Sequence, residues 1–138
     1  MIGIMSPEEI ERVLLSARVG RIACSSNDRP YVVPINYTYD GEVIYGFSTL
    51  GRKITVMREQ SSVCFEVDEI EGPSTWRCVI AEGLYEELVD EACRRRAMER
   101  LARECGAAVP RSLDASRNIV VFRVRVTEKS GRFERRDA

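Results

Sequence analysis

The sequence predicts a mainly β (α+β) domain in which six antiparallel strands close into a small barrel and helices cover its openings. Three observations lead there. Tyr31, Val33, Ile35, Tyr37 and Tyr39 alternate with Val32, Pro34, Asn36 and Thr38, the period-two signature of a strand. Asp40-Gly41 then marks a tight hairpin into a partner strand over residues 42–48. Strands also follow one another through turns instead of alternating strictly with helices, which favours antiparallel pairing and closure. The 138 residues read as one domain spanning 1–138, long enough to bury a core without staples.

Each element has a local cause. Ser6-Pro7-Glu8-Glu9 opens a helix, with Ser6 as cap, Pro7 at the first helical position and Glu9 completing a capping box. Ile10, Val13, Leu14 and Ala17 give that helix one apolar face. Residues 20–25 form a strand, and Asn27-Asp28-Arg29-Pro30 a turn. Pro34 cannot donate to a central ladder, so it calls for an edge, a bulge or a kink. Leu50, Ile54 and Met57 share one face of a short helix ending near Gln60. A strand over 62–68 follows, then a loop over 70–75 containing Gly72-Pro73, then a long strand over 76–86. Asp90 to Cys105 is a helix stopped by Gly106, with Cys93, Ala97, Leu101 and Cys105 as its inner stripe and Glu91–Arg95 and Glu99–Arg103 as outer pairs. Residues 107–117 read as a loop and 118–127 as the closing strand.

Composition removes several kinds of chemistry. The chain has no His, so His-assisted nucleophiles and the commonest metal and haem ligand are gone. Its five cysteines (Cys24, Cys64, Cys78, Cys93, Cys105) are odd in number and lack a C-x-x-C, which argues against a zinc site or a disulfide framework and for a reducing, cytoplasmic setting. No metal site is expected. A net charge of -1 argues against general nucleic-acid binding, and no apolar run or leader-like N-terminus points to a membrane. The basic end (Arg123, Arg125, Lys129, Arg132, Arg135, Arg136) reads as a solvated tail.

The stretch from Val43 to Lys53 carries the functional signal. A strand runs into Ser48-Thr49-Leu50-Gly51-Arg52-Lys53 just where a helix begins. Small residues let backbone approach an anion, free N–H groups point at it, and two cations neutralise it. Without an anion, cations in a first helical turn oppose the helix dipole by roughly 0.3–1 kcal/mol each. Asn36 is a poor strand residue, so its place beside Pro34 suggests hydrogen bonding to a ligand.

In order along the chain, Gly20-Arg21-Ile22-Ala23, Pro30 to Tyr37, Ile44-Tyr45 leading to Gly51-Arg52-Lys53, Val63 to Asp68, Trp76 to Gly83, and Val126 to Gly131 resemble the split-barrel flavin-binding family that includes pyridoxamine 5'-phosphate oxidase, and within it the nitroimidazole-resistance (Nim-like) branch. The resemblance makes the expected barrel a split one. It implies a homodimer with flavin mononucleotide (FMN) at the subunit interface. It implies that Arg52 and Lys53 hold the phosphate with help from Ser48 and Thr49, and that Val33, Pro34, Ile35 and Asn36 lie against the flavin ring, partly through backbone. Trp76 and Arg77 begin the strand that borders the site in that family. Related Nim-like sequences often carry His where this chain has Phe47, so chemistry assigned to that His has no counterpart here.

The function expected is that of an FMN-dependent oxidoreductase acting on a small molecule: a nitroaromatic, a quinone or, less favoured for want of a second phosphate site, pyridoxamine 5'-phosphate. The flavin carries the electrons, which explains the absence of a triad or an acid–base pair; no catalytic side chain is singled out. Backbone amides near Ile35 and the Arg77 cation are candidate tuning groups. The alternatives are a flavin-binding module without turnover, or a split barrel holding a deazaflavin or haem.

Overall fold

The computed structural model describes residues 1–106, 109–110 and 118–136. Most of the loop expected over 107–117 lies outside the described residues. Helix α1 (Pro7–Ser16) starts as the sequence requires: the Ser6 side chain accepts the Glu9 N–H, and Ile10, Val13 and Leu14 are buried. Strands β2 (Val19–Ser26) and β3 (Arg29–Tyr39) meet at Asn27-Asp28. Both turn residues have positive φ, 53° and 59°, as a two-residue turn matched to strand twist demands. β3 turns at Asp40, whose carboxylate accepts the Glu42 and Val43 N–H groups, into β4 (Val43–Thr49). Helix α2 (Arg52–Glu59), strands β5 (Ser62–Gly72) and β6 (Thr75–Glu87), helix α3 (Glu91–Cys105) and strand β7 (Ile119–Glu134) complete the run.

With a short strand β1 (Ile2–Ile4) at the edge, all strand pairs are antiparallel, in the order β1-β7-β4-β3-β2-β5-β6, and pairing of β6 with β7 closes the barrel. The additional strand β1 (Ile2–Ile4) brings the number among the described residues to seven where the sequence predicts six. Its three residues pair with Arg132, Phe133 and Glu134, at the far end of the chain and beyond the point where the closing strand was expected to stop. The loop expected over 70–75 is instead a tight β5–β6 hairpin, with Gly72 opposite Thr75.

Tyr37, Phe65, Phe122, Ile22, Ile44, Ile54 and Met57 fill the barrel, with the Tyr37 and Phe65 rings edge to face at 4.7 Å. A Cβ on Gly20 would lie 2.2 Å from the Phe65 ring, so the glycine makes room for that ring. A second apolar cluster lies outside the barrel, where Ala97, Met98 and Leu101 of α3 cover Val121 of β7 and Tyr45 and Phe47 of β4. Phe47 is therefore committed to packing under α3. No helix among the described residues is long and apolar enough to cross a membrane.

The feature that positions the site is where the barrel parts. β3 and β4 pair only from Tyr37 to Tyr39 and from Ile44 to Gly46. Beyond that, β4 continues through Thr49 along β7, while residues 29–36 of β3 pair with β2 alone. Among the described residues, one edge of β3 is thus left without a strand neighbour.

Candidate functional site

The site grows from the junction of β4 and α2. Period-two alternation turns Ser48 inward, where it is 8% exposed, and leaves Thr49 outward and exposed. Leu50 is anchored by its N–H to the Asn118 carbonyl at 3.1 Å. α2 then begins at Gly51, which provides no side-chain cap, and no acidic residue stands in the first turn. The first intrahelical bond runs from the Thr55 N–H to the Gly51 carbonyl, so the Arg52, Lys53 and Ile54 N–H groups have no partner within the helix.

Two cations sit on those N–H groups. Lys53 is half-buried and its Nζ donates to Ser48 Oγ at 2.9 Å, while the Ser48 hydroxyl donates to the Thr49 carbonyl at 2.8 Å. Arg52 is exposed, with its guanidinium 4.7 Å from the centre of the Tyr31 ring. Neither forms an ion pair with a carboxylate among the described residues. Burial holds the Lys53 amine below its ordinary 10.5, with the nearby Cys24 pulling the other way. Cys24, buried on β2, has its thiol held above 9.0 by burial, and Arg52 and Lys53 draw it down. The result is a positive patch, half-buried at Lys53 and exposed at Arg52, with a hydroxyl and helix-start N–H groups beside it, donor chemistry that suits a phosphate-sized anion.

The open edge of β3 supplies the rest. The Tyr37 N–H donates to the Arg18 carbonyl at 3.0 Å, which fixes the phase of the β2–β3 ladder. Main-chain groups of Val33 and Ile35 therefore face β2, and those of Val32, Pro34 and Asn36 face the edge that β4 has left. Pro34 fits this register because it has no N–H to leave unpaired. The expectation of amides near Ile35 thus moves one residue, to the N–H of Asn36. The Val33 and Ile35 side chains point into the barrel, and those of Pro34 and Asn36 point outward.

Trp76 and Arg77 lie elsewhere in the chain. The Trp76 indole N–H donates to Glu134 at 2.9 Å and Arg77 lies 3.7 Å from Glu69. Along β7, Trp76 is opposite Glu134 and Ser48 is opposite Val120, so the two groups sit at opposite ends of that strand. Within one chain they do not converge. Tyr31 and Cys24, in contrast, lie beside Arg52 and Lys53 although the sequence marks them only as packing residues; both residues lie more than twenty positions before α2, and only the fold brings them together. Among the described residues no group of three or more Asp, Glu, Cys or His is placed to hold a metal ion.

This architecture defines a split barrel. The family model for pyridoxamine 5'-phosphate oxidase matches residues 6–133, and the chain belongs to that family. Among solved structures, an FAD-binding protein from Mesorhizobium loti is 35% identical, with a TM-score of 0.82 over 98% of this chain and 99% of that one. A candidate 5-nitroimidazole antibiotic resistance protein from Bacteroides thetaiotaomicron shares the fold at 22% identity, with a TM-score of 0.81 over 96% of this chain and 87% of that one. An uncharacterised protein of Rhizobium meliloti is 38% identical over 85 residues, 62% of this chain; the match spans only 56% of that protein's length.

Proposed function

We propose that the chain is one flavin-binding domain that holds FMN and works as a flavin-dependent oxidoreductase on a small molecule. The observation that carries this reading is the start of α2: uncapped, free of acids, and carrying a half-buried lysine without a carboxylate partner among the described residues. In the bound state Lys53, Arg52 and the Ser48 and Thr49 hydroxyls would hold the phosphate. Lys53 would turn from Ser48 Oγ to the anion, and Tyr31 would keep Arg52 over the pocket. Asn36 would donate its N–H from the open edge of β3 to a ring carbonyl or ring nitrogen, and Pro34 would wall the ring without a competing donor. The flavin, when bound, supplies hydride and electron transfer, so these residues bind, orient and tune rather than exchange protons.

The FAD-binding relative favours a second form of the same reading, in which the mononucleotide half of FAD occupies this pocket. A homodimer fits both forms. The outer face of β2, β3 and β6 exposes Val19 (53%), Val32 (62%) and Leu84 (41%), separate apolar side chains among polar ones that a second copy would cover. In such a pair, Trp76 and Arg77 would border the partner's site. Five cysteines, none in a disulfide, are consistent with a reducing cytoplasm.

The experiment is the visible spectrum of the purified protein, before and after incubation with FMN or FAD and desalting, followed by addition of NADH or NADPH. Retained flavin bands that bleach under a reduced nicotinamide, and recover with a nitroaromatic or a quinone, are expected. Bands that never bleach would reduce the function to flavin binding. A haem or deazaflavin spectrum, or no retained chromophore, would overturn the FMN assignment. Sedimentation of the flavin-loaded protein as a monomer would remove the dimer.

A further inference from the structure

We propose that the groove between α3 and the β3–β4 hairpin is a second anion site, built for a small oligophosphate such as a linked di- or triphosphate. It lies on the opposite side of β4 from the α2 pocket: Tyr45 lines the groove from the outer face, whereas Ser48 points into the barrel.

Arg96, Arg100 and Arg103 form one stripe of α3, spaced i, i+4, i+7, and Arg123 of β7 faces them across a cavity of about 470 Å³. Buried Leu88 and Ala97 also line it, giving the cavity an apolar surface. Like charges three and four residues apart on a helix repel by roughly 0.2–0.5 kcal/mol per pair, so the stripe opposes the helix that carries it unless an anion lies against it. Elsewhere the chain pairs Arg12, Arg21, Arg58, Arg77, Arg95 and Arg125 with carboxylates.

In the groove such pairing is sparse. Arg123 is matched by Glu86 at 2.7 Å. Arg100 spends its donors on neutral oxygens, Thr38 Oγ1 at 3.0 Å and the Tyr39 carbonyl at 2.9 Å, with Glu104 bonded to the same Thr38 hydroxyl. Among the described residues Arg96 donates a hydrogen bond only to Cys93 Sγ, at 3.3 Å, and its charge acts on the Asp90 carboxylate without forming an ion pair. Arg103 has no ion pair among the described residues, and the sequence-predicted Glu99–Arg103 pair does not form there. Two carboxylates line the groove, Asp40 and Glu99. Asp40 is already occupied by the Glu42 and Val43 N–H groups and by the Tyr45 hydroxyl at 3.2 Å.

Size and charge pattern select the ligand. Arg96 and Arg103 are seven residues apart, about 10 Å along the helix with Arg100 between them, a spacing that two or three linked phosphates fit with one guanidinium each. Asp40 and Glu99, which also line the groove, would repel a long polyanion crossing it, which disfavours nucleic acid.

The test is calorimetric titration of the purified protein, alone and with FMN added, using inorganic tripolyphosphate and, separately, ATP. Binding of tripolyphosphate, weakened about tenfold or more by Arg96→Gln with Arg103→Gln and leaving flavin in place, is the expected result. Tighter binding of ATP than of tripolyphosphate would support the same site with the nucleoside seated on Tyr45 and Leu88. No heat with either probe up to roughly 10 mM at low salt would overturn the proposal. So would unchanged affinity in the double variant, or displacement of FMN by tripolyphosphate, which would place the anion at α2. The single variant Arg103→Gln, at an exposed position, provides the same comparison should the double variant fold poorly.

Discussion

At the start of α3, Asp90 accepts the Cys93 N–H at 3.0 Å and Glu91 adds a second negative charge; at the start of α2, Gly51 has no side chain to offer and Arg52 and Lys53 bring two positive charges. α1 follows α3, with Ser6 as cap and Glu8 and Glu9 in its first turn. Two helices thus cap one of their own first-turn N–H groups with a side chain and complement their dipoles, and one does neither. The exception lies where a strand edge opens and a lysine is partly desolvated. In the function proposed above, this unsatisfied helix start is where the flavin phosphate completes the structure.

The strongest way to break this comparison is to remove the cations. Arg52→Ala with Lys53→Ala should weaken FMN binding about hundredfold, equivalent to ~2.7 kcal/mol, as read by flavin fluorescence titration. The melting temperature of the apo protein should stay level or rise, since the replaced charges oppose the helix dipole. A loss of folding without flavin would instead make these residues structural.

Converting α2 to the pattern of α3 comes next. Gly51 has an extended backbone (φ −168°), and a Cβ there would meet only the Thr49 carbonyl at 3.9 Å, so Gly51→Asp is sterically allowed. The new carboxylate should cap α2, raise the apo melting temperature by a few degrees, and lower FMN affinity about tenfold by competing for the same donors. Stability and binding moving in opposite directions is the diagnostic outcome. The reverse experiment, Asp90→Ala, should lower the melting temperature by a few degrees and leave flavin affinity unchanged.

The smallest expected effect is on pH dependence. Burial lowers the Lys53 pKa below 10.5 in the free protein, and a bound phosphate would raise it again. Protons are then taken up on binding, so affinity should fall as pH rises through the titration of the free lysine. Because flavin itself titrates in alkali, the measurement is the difference between wild type and Lys53→Arg, which keeps its charge; equal slopes would remove Lys53 from the site.

What could be read from the sequence divides along the same line. Ser48, Arg52 and Lys53 are neighbours in the chain, so a strand-to-helix junction announced them. The hairpin at Asp40-Gly41 and the cap at Ser6 are equally local, and both formed. Features held by distant partners were not visible. β1 exists because three residues near the N-terminus add to residues 132–134, and Ile2-Gly3-Ile4 alone is too short to show alternation. The β5–β6 hairpin was hidden because Gly72-Pro73 reads as a loop while pairing carries β5 through to Gly72. Tyr31 and Cys24 come beside Arg52 and Lys53 through the fold alone. Trp76 and Arg77 were marked by family resemblance, and one chain leaves them at the far end of β7 from Ser48.

The most direct measurement compares FMN with riboflavin, which lacks only the phosphate, on the wild-type protein and on the Arg52→Ala, Lys53→Ala variant. The α2 start acting as the phosphate holder requires wild type to prefer FMN by about a hundredfold, and the variant to bind both flavins alike at the riboflavin level. An undiminished preference for FMN in the variant would contradict the account and place the phosphate elsewhere in the chain.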